Sequence, residues 1–257
     1  MNEIELKMMK GMVDILNEAS EAYRNGNPIL TDEQFSMRSN DLVCFEAETG
    51  VVLLNSPNCT TNVESIVKTL EIKSDTLKEC QDINDIVEFA NQKELIAYID
   101  VNGLDMIITY VDGRIDNIKV SNIDEYILNM ICNLSIPYCA SENINCDIKG
   151  KVVCVSGKSI FYATEAVRGG LSTLRGNFDK MIDLGFDVVP NWNFTTLNSK
   201  SFQNSVDYIF EHAEEDNIPC NGIVFKLNDI EYSKMMSVMS CDACNGIIIR
   251  KKGNSTQ

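Results

Sequence analysis

Residues 96–119 constrain this chain more than any other stretch; they read Ile-Ala-Tyr-Ile-Asp-Val-Asn-Gly-Leu-Asp-Met-Ile-Ile-Thr-Tyr-Val-Asp-Gly-Arg-Ile-Asp-Asn-Ile-Lys. Two β-rich runs, Ile96 to Val101 and Leu104 to Val111, flank Asn102-Gly103, and Asp112-Gly113 sends a third run outward through Ile118. Asn-Gly and Asp-Gly between apolar runs are the strongest short-range turn signals, because a type I′ turn needs positive φ at both central residues. The stretch predicts a β meander with polar residues at its first bend.

Helical periodicity dominates the residues before it. Ile4, Leu6, Met9, Met12, Val13, Ile15, Leu16, Ala19 and Tyr23 recur mostly at helical spacing over residues 3–24, and Asn25-Gly-Asn-Pro28 stops that helix. Thr31-Asp-Glu-Gln34 has the form of a capping box, in which cap and third residue satisfy each other's orphan N–H groups. It opens a second helix running to about Glu48, before Thr49-Gly50. A hairpin of this size buries too little by itself and must pack on the rest of the chain. Residues 51–82 read as loop-rich, punctuated by Asn55-Ser-Pro-Asn58. Helices are expected over 83–92, 123–132, 177–183, 201–215 and 229–239, and strands over 151–155, 159–162, 186–190, 222–227 and 246–251. The fold class is α+β: an N-terminal helical hairpin (1–50), a body with antiparallel sheets (51–252) and a polar tail (253–257).

With 38 acidic and 22 basic residues, the formal charge of −16 opposes broad contact with phosphate backbones, so direct DNA binding is not expected. Ten cysteines accompany a charged opening, Met1-Asn-Glu-Ile-Glu-Leu-Lys, that lacks an apolar core segment, which reads as reduced thiols in a cytoplasmic protein. The only close pair, Cys241-Asp-Ala-Cys244, has no second pair or histidine cluster beside it, so no metal site is expected. No apolar run is long enough to span a bilayer. His212 reads as a surface helix residue and Trp192 as a half-buried strand end.

Four segments, in order, resemble the adenylation domain of NAD-dependent DNA ligases. Ala22 to Phe35 is similar to the small N-terminal cap that holds the nicotinamide mononucleotide half of NAD, with Tyr23 and Asp32 matching, whereas a later tyrosine and aspartate fall on Phe35 and Ser36. The meander resembles the strands that carry the motif Lys-x-Asp-Gly. Phe186-Asp-Val-Val-Pro190 resembles GF-x-VVP, and Asn221-Gly-Ile-Val-Phe-Lys226 resembles DG-x-V-x-K. The resemblance implies an ATP-grasp-like nucleotidyltransferase body. In the family a lysine amine attacks the α-phosphate of NAD, nicotinamide mononucleotide leaves and a lysyl-AMP remains, a reaction that suits an amine whose pKa is lowered by neighbouring cations and desolvation.

At the matching place this chain reads Asp100-Val-Asn102-Gly103, so aspartate stands at the nucleophile's position and only the glycine survives. A carboxylate about 4 Å from a phosphate charge costs on the order of 4 kcal/mol at an effective dielectric of about 20. By the same resemblance Gly157-Lys158 stands where the family has Gly-Glu, and Arg250 where it has its last motif lysine. The Arg-Gly-Asp-Gly segment is absent, Lys119-Val-Ser-Asn-Ile-Asp124 standing in its place, and Lys226 remains as an intact phosphate-facing lysine. Tyr23, Asp32, Lys226 and Arg250 are the residues that the resemblance assigns to NAD or AMP, with no covalent AMP implied. Three readings are open. The first is a catalytically inactive, nucleotide-binding or regulatory homologue. The second is an active adenylyltransferase with Lys158 as displaced nucleophile, and Asp100 and Lys158 otherwise form a salt bridge closing a vestigial pocket. The third is an interaction module without nucleotide, such as a phage or mobile-element decoy, whose acidity suits a protein partner with a basic surface.

Overall fold

Helix α1 (Glu3–Arg24) turns Leu6, Met9, Val13 and Leu16 inward, and α2 (Asp32–Thr49) answers with Leu42. In this computed structural model the described residues are 3–72, 77–80, 82–140, 142–168, 170–195, 199–239 and 245–251. Both halves of the Thr31 capping box form, and Gly50 closes α2 at φ 69°, a left-handed conformation that suits glycine. The hairpin's core is completed from outside it: Val51 and Leu53 pack into the same cluster.

The body continues as β1 (Val52–Leu53), α3 (Val63–Ile66), β2 (Val67–Thr69), β3 (Leu77–Cys80), α4 (Ile83–Ala90), β4 (Leu95–Val101), β5 (Leu104–Val111), β6 (Arg114–Val120), α5 (Glu125–Cys132), β7 (Pro137–Cys139), β8 (Cys146–Val155), β9 (Lys158–Arg168), α6 (Leu174–Asp183), β10 (Asp187–Val188), β11 (Asn191–Phe194), α7 (Ser199–Glu215), β12 (Cys220–Leu227), α8 (Ile230–Met239) and β13 (Gly246–Arg250). The strands form two sheets. One runs β1-β7-β6-β5-β8-β9-β10, with β2 added beside β6, and the other runs β11-β4-β12-β13-β3.

Residues 51–82 are loop-rich, as expected, and also hold three short strands and a helical turn. The sheets are mainly antiparallel, as expected, with β2, β3 and β10 each added in parallel to a neighbour. One expectation is corrected: residues 96–119 are not a continuous meander. Strands β5 and β6 do form a hairpin, whose turn residues Asp112 and Gly113 both have positive φ (49° and 76°). Strand β4, however, pairs with β11 and β12 in the other sheet. Asn102-Gly103 is therefore a crossing between sheets, with the Asn102 N–H donating to the Pro219 carbonyl at 2.7 Å. A hairpin strand with one wet face alternates, whereas Leu95, Ile96, Ala97, Tyr98 and Ile99 are all buried, the pattern of a strand covered on both faces.

Hairpin and body are joined by polar contacts as well as by apolar packing. The buried Glu46 carboxylate accepts from Ser56 Oγ at 2.6 Å and from Asn58 Nδ2 at 2.8 Å. Asn17 Nδ2 donates to the Asn55 carbonyl at 2.8 Å, and Lys10 pairs with Asp187 at 2.7 Å. Among the described residues no helix is long and apolar enough to cross a membrane.

Candidate active site

Where the two sheets part after β4, a cleft of about 310 Å³ opens, bordered by Tyr98 and Asp100 of β4, Asp105 of β5, Lys149 and Lys151 of β8 and Arg250 of β13. Strand alternation explains the gathering: on β8, Ile148 and Val152 are buried while Lys149 and Lys151 border the cleft. In the other sheet Asp100 stands opposite Gly222, which stands opposite Arg250. Since Gly222 has no side chain to intervene, Arg250 Nη1 reaches Asp100 Oδ2 at 2.9 Å. A Cβ on Gly222 would lie 2.4 Å from the Ile249 carbonyl, so that strand position admits only glycine without movement.

Charge in and beside this cleft is matched pair by pair. Asp105 and Lys151 face each other across β5 and β8, with Oδ1 and Nζ 3.2 Å apart. Lys149 stands opposite Glu165 across β8 and β9, and Glu165 Oε2 is 3.8 Å from Lys226 Nζ. The Lys226 ammonium also lies 5.9 Å from the centre of the Tyr98 ring, within cation–π reach. Asp100 is the more enclosed member of its pair, its side chain 17% exposed against 47% for Arg250. The carboxylate thus sits inside the cleft, with the guanidinium at the rim.

The sequence-assigned residues fall in several places. Tyr23 and Asp32 come together with Phe35 and Ser36 in a separate cleft of about 500 Å³ on the hairpin. Arg250 borders the Asp100 cleft, and Lys226 lines a smaller neighbouring one with Glu165 and Lys234. Asn102 and Gly103 lie at the sheet crossing, outside the lining of the Asp100 cleft.

The expected Asp100–Lys158 salt bridge does not form, because Asp100 pairs with Arg250 while Lys158 pairs with Asp14 of α1 at 2.9 Å. Lys158 comes directly after the Ser156-Gly157 turn and lines a third cleft, of about 610 Å³, between α1 and β9. Its hydrogen bond to Asp14, reinforced by that carboxylate's charge, raises its pKa above the usual lysine value. That is the wrong direction for a nucleophilic amine, which needs its proton removed. The chain contains two Gly-Lys pairs, and the one that reaches the cleft of Asp100 is the first, Gly150-Lys151. Sequence reasoning missed Lys151 because its place depends on strand register with Asp105, which spacing does not reveal.

His212 is half-buried rather than on the surface: its ring meets Trp192 edge-on at 5.6 Å, where β11 passes beside α7. Cys241 and Cys244 lie outside the described residues. Burial pushes the Cys80 thiol up to about 11, so it is protonated and inert at neutral pH.

In sequence the chain is similar to proteins named DNA ligase. It is 22% identical over 286 residues to the DNA ligase of Ruminiclostridium cellulolyticum, covering 90% of this chain and 43% of that protein. It is 21% identical over 290 residues to the DNA ligase of Lachnoclostridium phytofermentans, covering 93% and 44%. The chain thus spans less than half the length of these curated relatives. No family model matches it. Among solved structures, it superposes on a Naegleria gruberi RNA ligase with PPi at a TM-score of 0.39 and 13% identity, over 76% of this chain and 61% of that one.

Proposed function

We propose that this chain is a catalytically inactive relative of the adenylation domain of NAD-dependent DNA ligases, acting as a binding or regulatory protein. The observation that carries the reading is the Asp100–Arg250 pair. Asp100 stands where the resemblance puts the nucleophilic lysine, and its carboxylate is engaged by Arg250 at 2.9 Å. A carboxylate so held has no amine with which to form a phosphoramidate, and its charge opposes the α-phosphate that the reaction must bring in. Lys151, which borders the same cleft, is held by Asp105 at 3.2 Å. Lys158 is paired with Asp14 in a different cleft, which supports this reading over one with Lys158 as a displaced nucleophile.

Of the ligand that the family resemblance suggests, this reading keeps the nicotinamide mononucleotide moiety, placed in the hairpin cleft that holds Tyr23 and Asp32, and not an AMP moiety beside Asp100. The formal charge of −16 favours a protein partner with a basic surface over direct contact with DNA. Incubation with NAD should release no nicotinamide mononucleotide by chromatography, even at protein concentrations high enough to detect one turnover per chain. Stoichiometric release would overturn the reading.

A further inference from the structure

The charge pattern around Asp100 has a bearing on ligand choice as well as on chemistry. Arg250, Lys151 and Lys226 would together draw a phosphate group into the space between the sheets, yet each lies within 4 Å of a carboxylate of this same chain: Asp100, Asp105 and Glu165. The pairing differs in kind from one to the next. Asp105 and Glu165 each stand directly across a strand pair from a lysine, Lys151 and Lys149, as ordinary cross-strand partners do. Asp100 instead reaches Arg250 across the bare backbone of Gly222, two strands away. It is also the carboxylate set back from the rim, at 17% exposure.

We propose, resting on the reading of an inactive adenylation-type cleft, that Asp100 is the resident anion of this site: its carboxylate occupies the subsite of Arg250 and so sets the cleft against phosphate-bearing ligands. The physical basis is displacement. A phosphate approaching Arg250 must take the guanidinium from a carboxylate already paired with it at 2.9 Å, and the displaced carboxylate then remains beside it as a like charge to the phosphate. Converting that one charge to a neutral group of the same shape leaves Arg250 with an open fork, the geometry suited to bidentate phosphate binding. Asp100 is thus a specificity-determining residue, and phosphate is the chemical class it excludes.

Asp100→Asn keeps the shape and removes the charge. Binding is read by calorimetry and by thermal denaturation in a phosphate-free buffer of low ionic strength, with AMP as probe and adenosine as its phosphate-free control. AMP cannot donate an adenylyl group, so this measurement is independent of whether the wild-type protein reacts with NAD. Asp100→Asn is expected to bind AMP at least about tenfold more tightly than wild type, a conservative figure given the like-charge repulsion removed. Adenosine should respond equally in the two proteins, and Arg250→Ala added to Asp100→Asn should abolish the gain. Equal AMP affinity in wild type and Asp100→Asn, including no binding in either, would overturn the proposal, as would a gain shared by adenosine or one that survives Arg250→Ala. If Asp100→Asn lowers the melting temperature severely, Asp100→Ser is read by the same criteria. An adenylated wild-type protein would overturn the inactive reading by a covalent signal that these binding measurements do not produce.

Discussion

Gly103→Ala is expected to destabilise the protein by about 3 kcal/mol, at the upper end of ordinary overpacking costs. A Cβ at this position would lie 2.5 Å from the Val152 carbonyl oxygen and 2.7 Å from Val153 Cγ1, distances at which something must move. Neither side can yield easily. Asn102, on one side of the glycine, is tied to Pro219, and Leu104, on the other, is in register with Val152. For a domain of this size the loss corresponds to a melting temperature lowered by about 6–12 °C. Gly157→Ala is the control: Gly157 has φ 81° and nothing within 4 Å of its missing Cβ, so only a backbone penalty of about 1–2 kcal/mol applies. Should both substitutions cost the same, crowding at the sheet crossing would not be the reason for glycine at 103.

A comparable loss is expected from Glu46→Ala. Glu46 is 6% exposed and draws its support from neutral donors, Ser56 and Asn58, of which Ser56 is itself buried. Truncation strands two donors that had been satisfied by a charged acceptor, and hydrogen bonds to charged groups contribute about 1.5–3 kcal/mol each. The net cost is about 3 kcal/mol, after allowing for the desolvation that no longer has to be met. Glu46→Gln, which keeps one acceptor, should lose about half as much. Because these contacts fasten α2 to residues 56–58, hydrogen exchange should quicken first in α2 and in the segment after it. A uniform change across the molecule would place the damage elsewhere.

Signals confined to a few consecutive residues were legible from the sequence. The Thr31 box and Gly50 bound α2 where expected, and Asp112-Gly113 turns β5 into β6, since each is decided by local backbone geometry. Asn102-Gly103 carried an equally strong local signal and means something else. There the burial of β4 on both faces, a tertiary fact, overrode the preference of the dipeptide for a tight turn. The continuous apolar run Leu95-Ile-Ala-Tyr-Ile was the clue that separated a central strand from a hairpin arm. Site residues divided in the same way. Tyr23 and Asp32 are near neighbours in the chain and meet in one cleft, as expected of residues flanking a helix–helix turn. The partner of Asp100 was beyond reach of spacing arguments: Arg250 is placed by two strand registers and a glycine between them, and Lys151 by a third register.

The most direct test of the central claim is the intact mass of the purified protein after prolonged incubation with NAD and a divalent cation. Asp100 in place of the lysine predicts an unchanged mass, with no adenylyl group added under conditions that fully label an active DNA ligase run beside it. A mass increased by one adenylyl group, stable to desalting, would contradict the account, and peptide mapping of the adduct would show which lysine had taken the role assigned here to none.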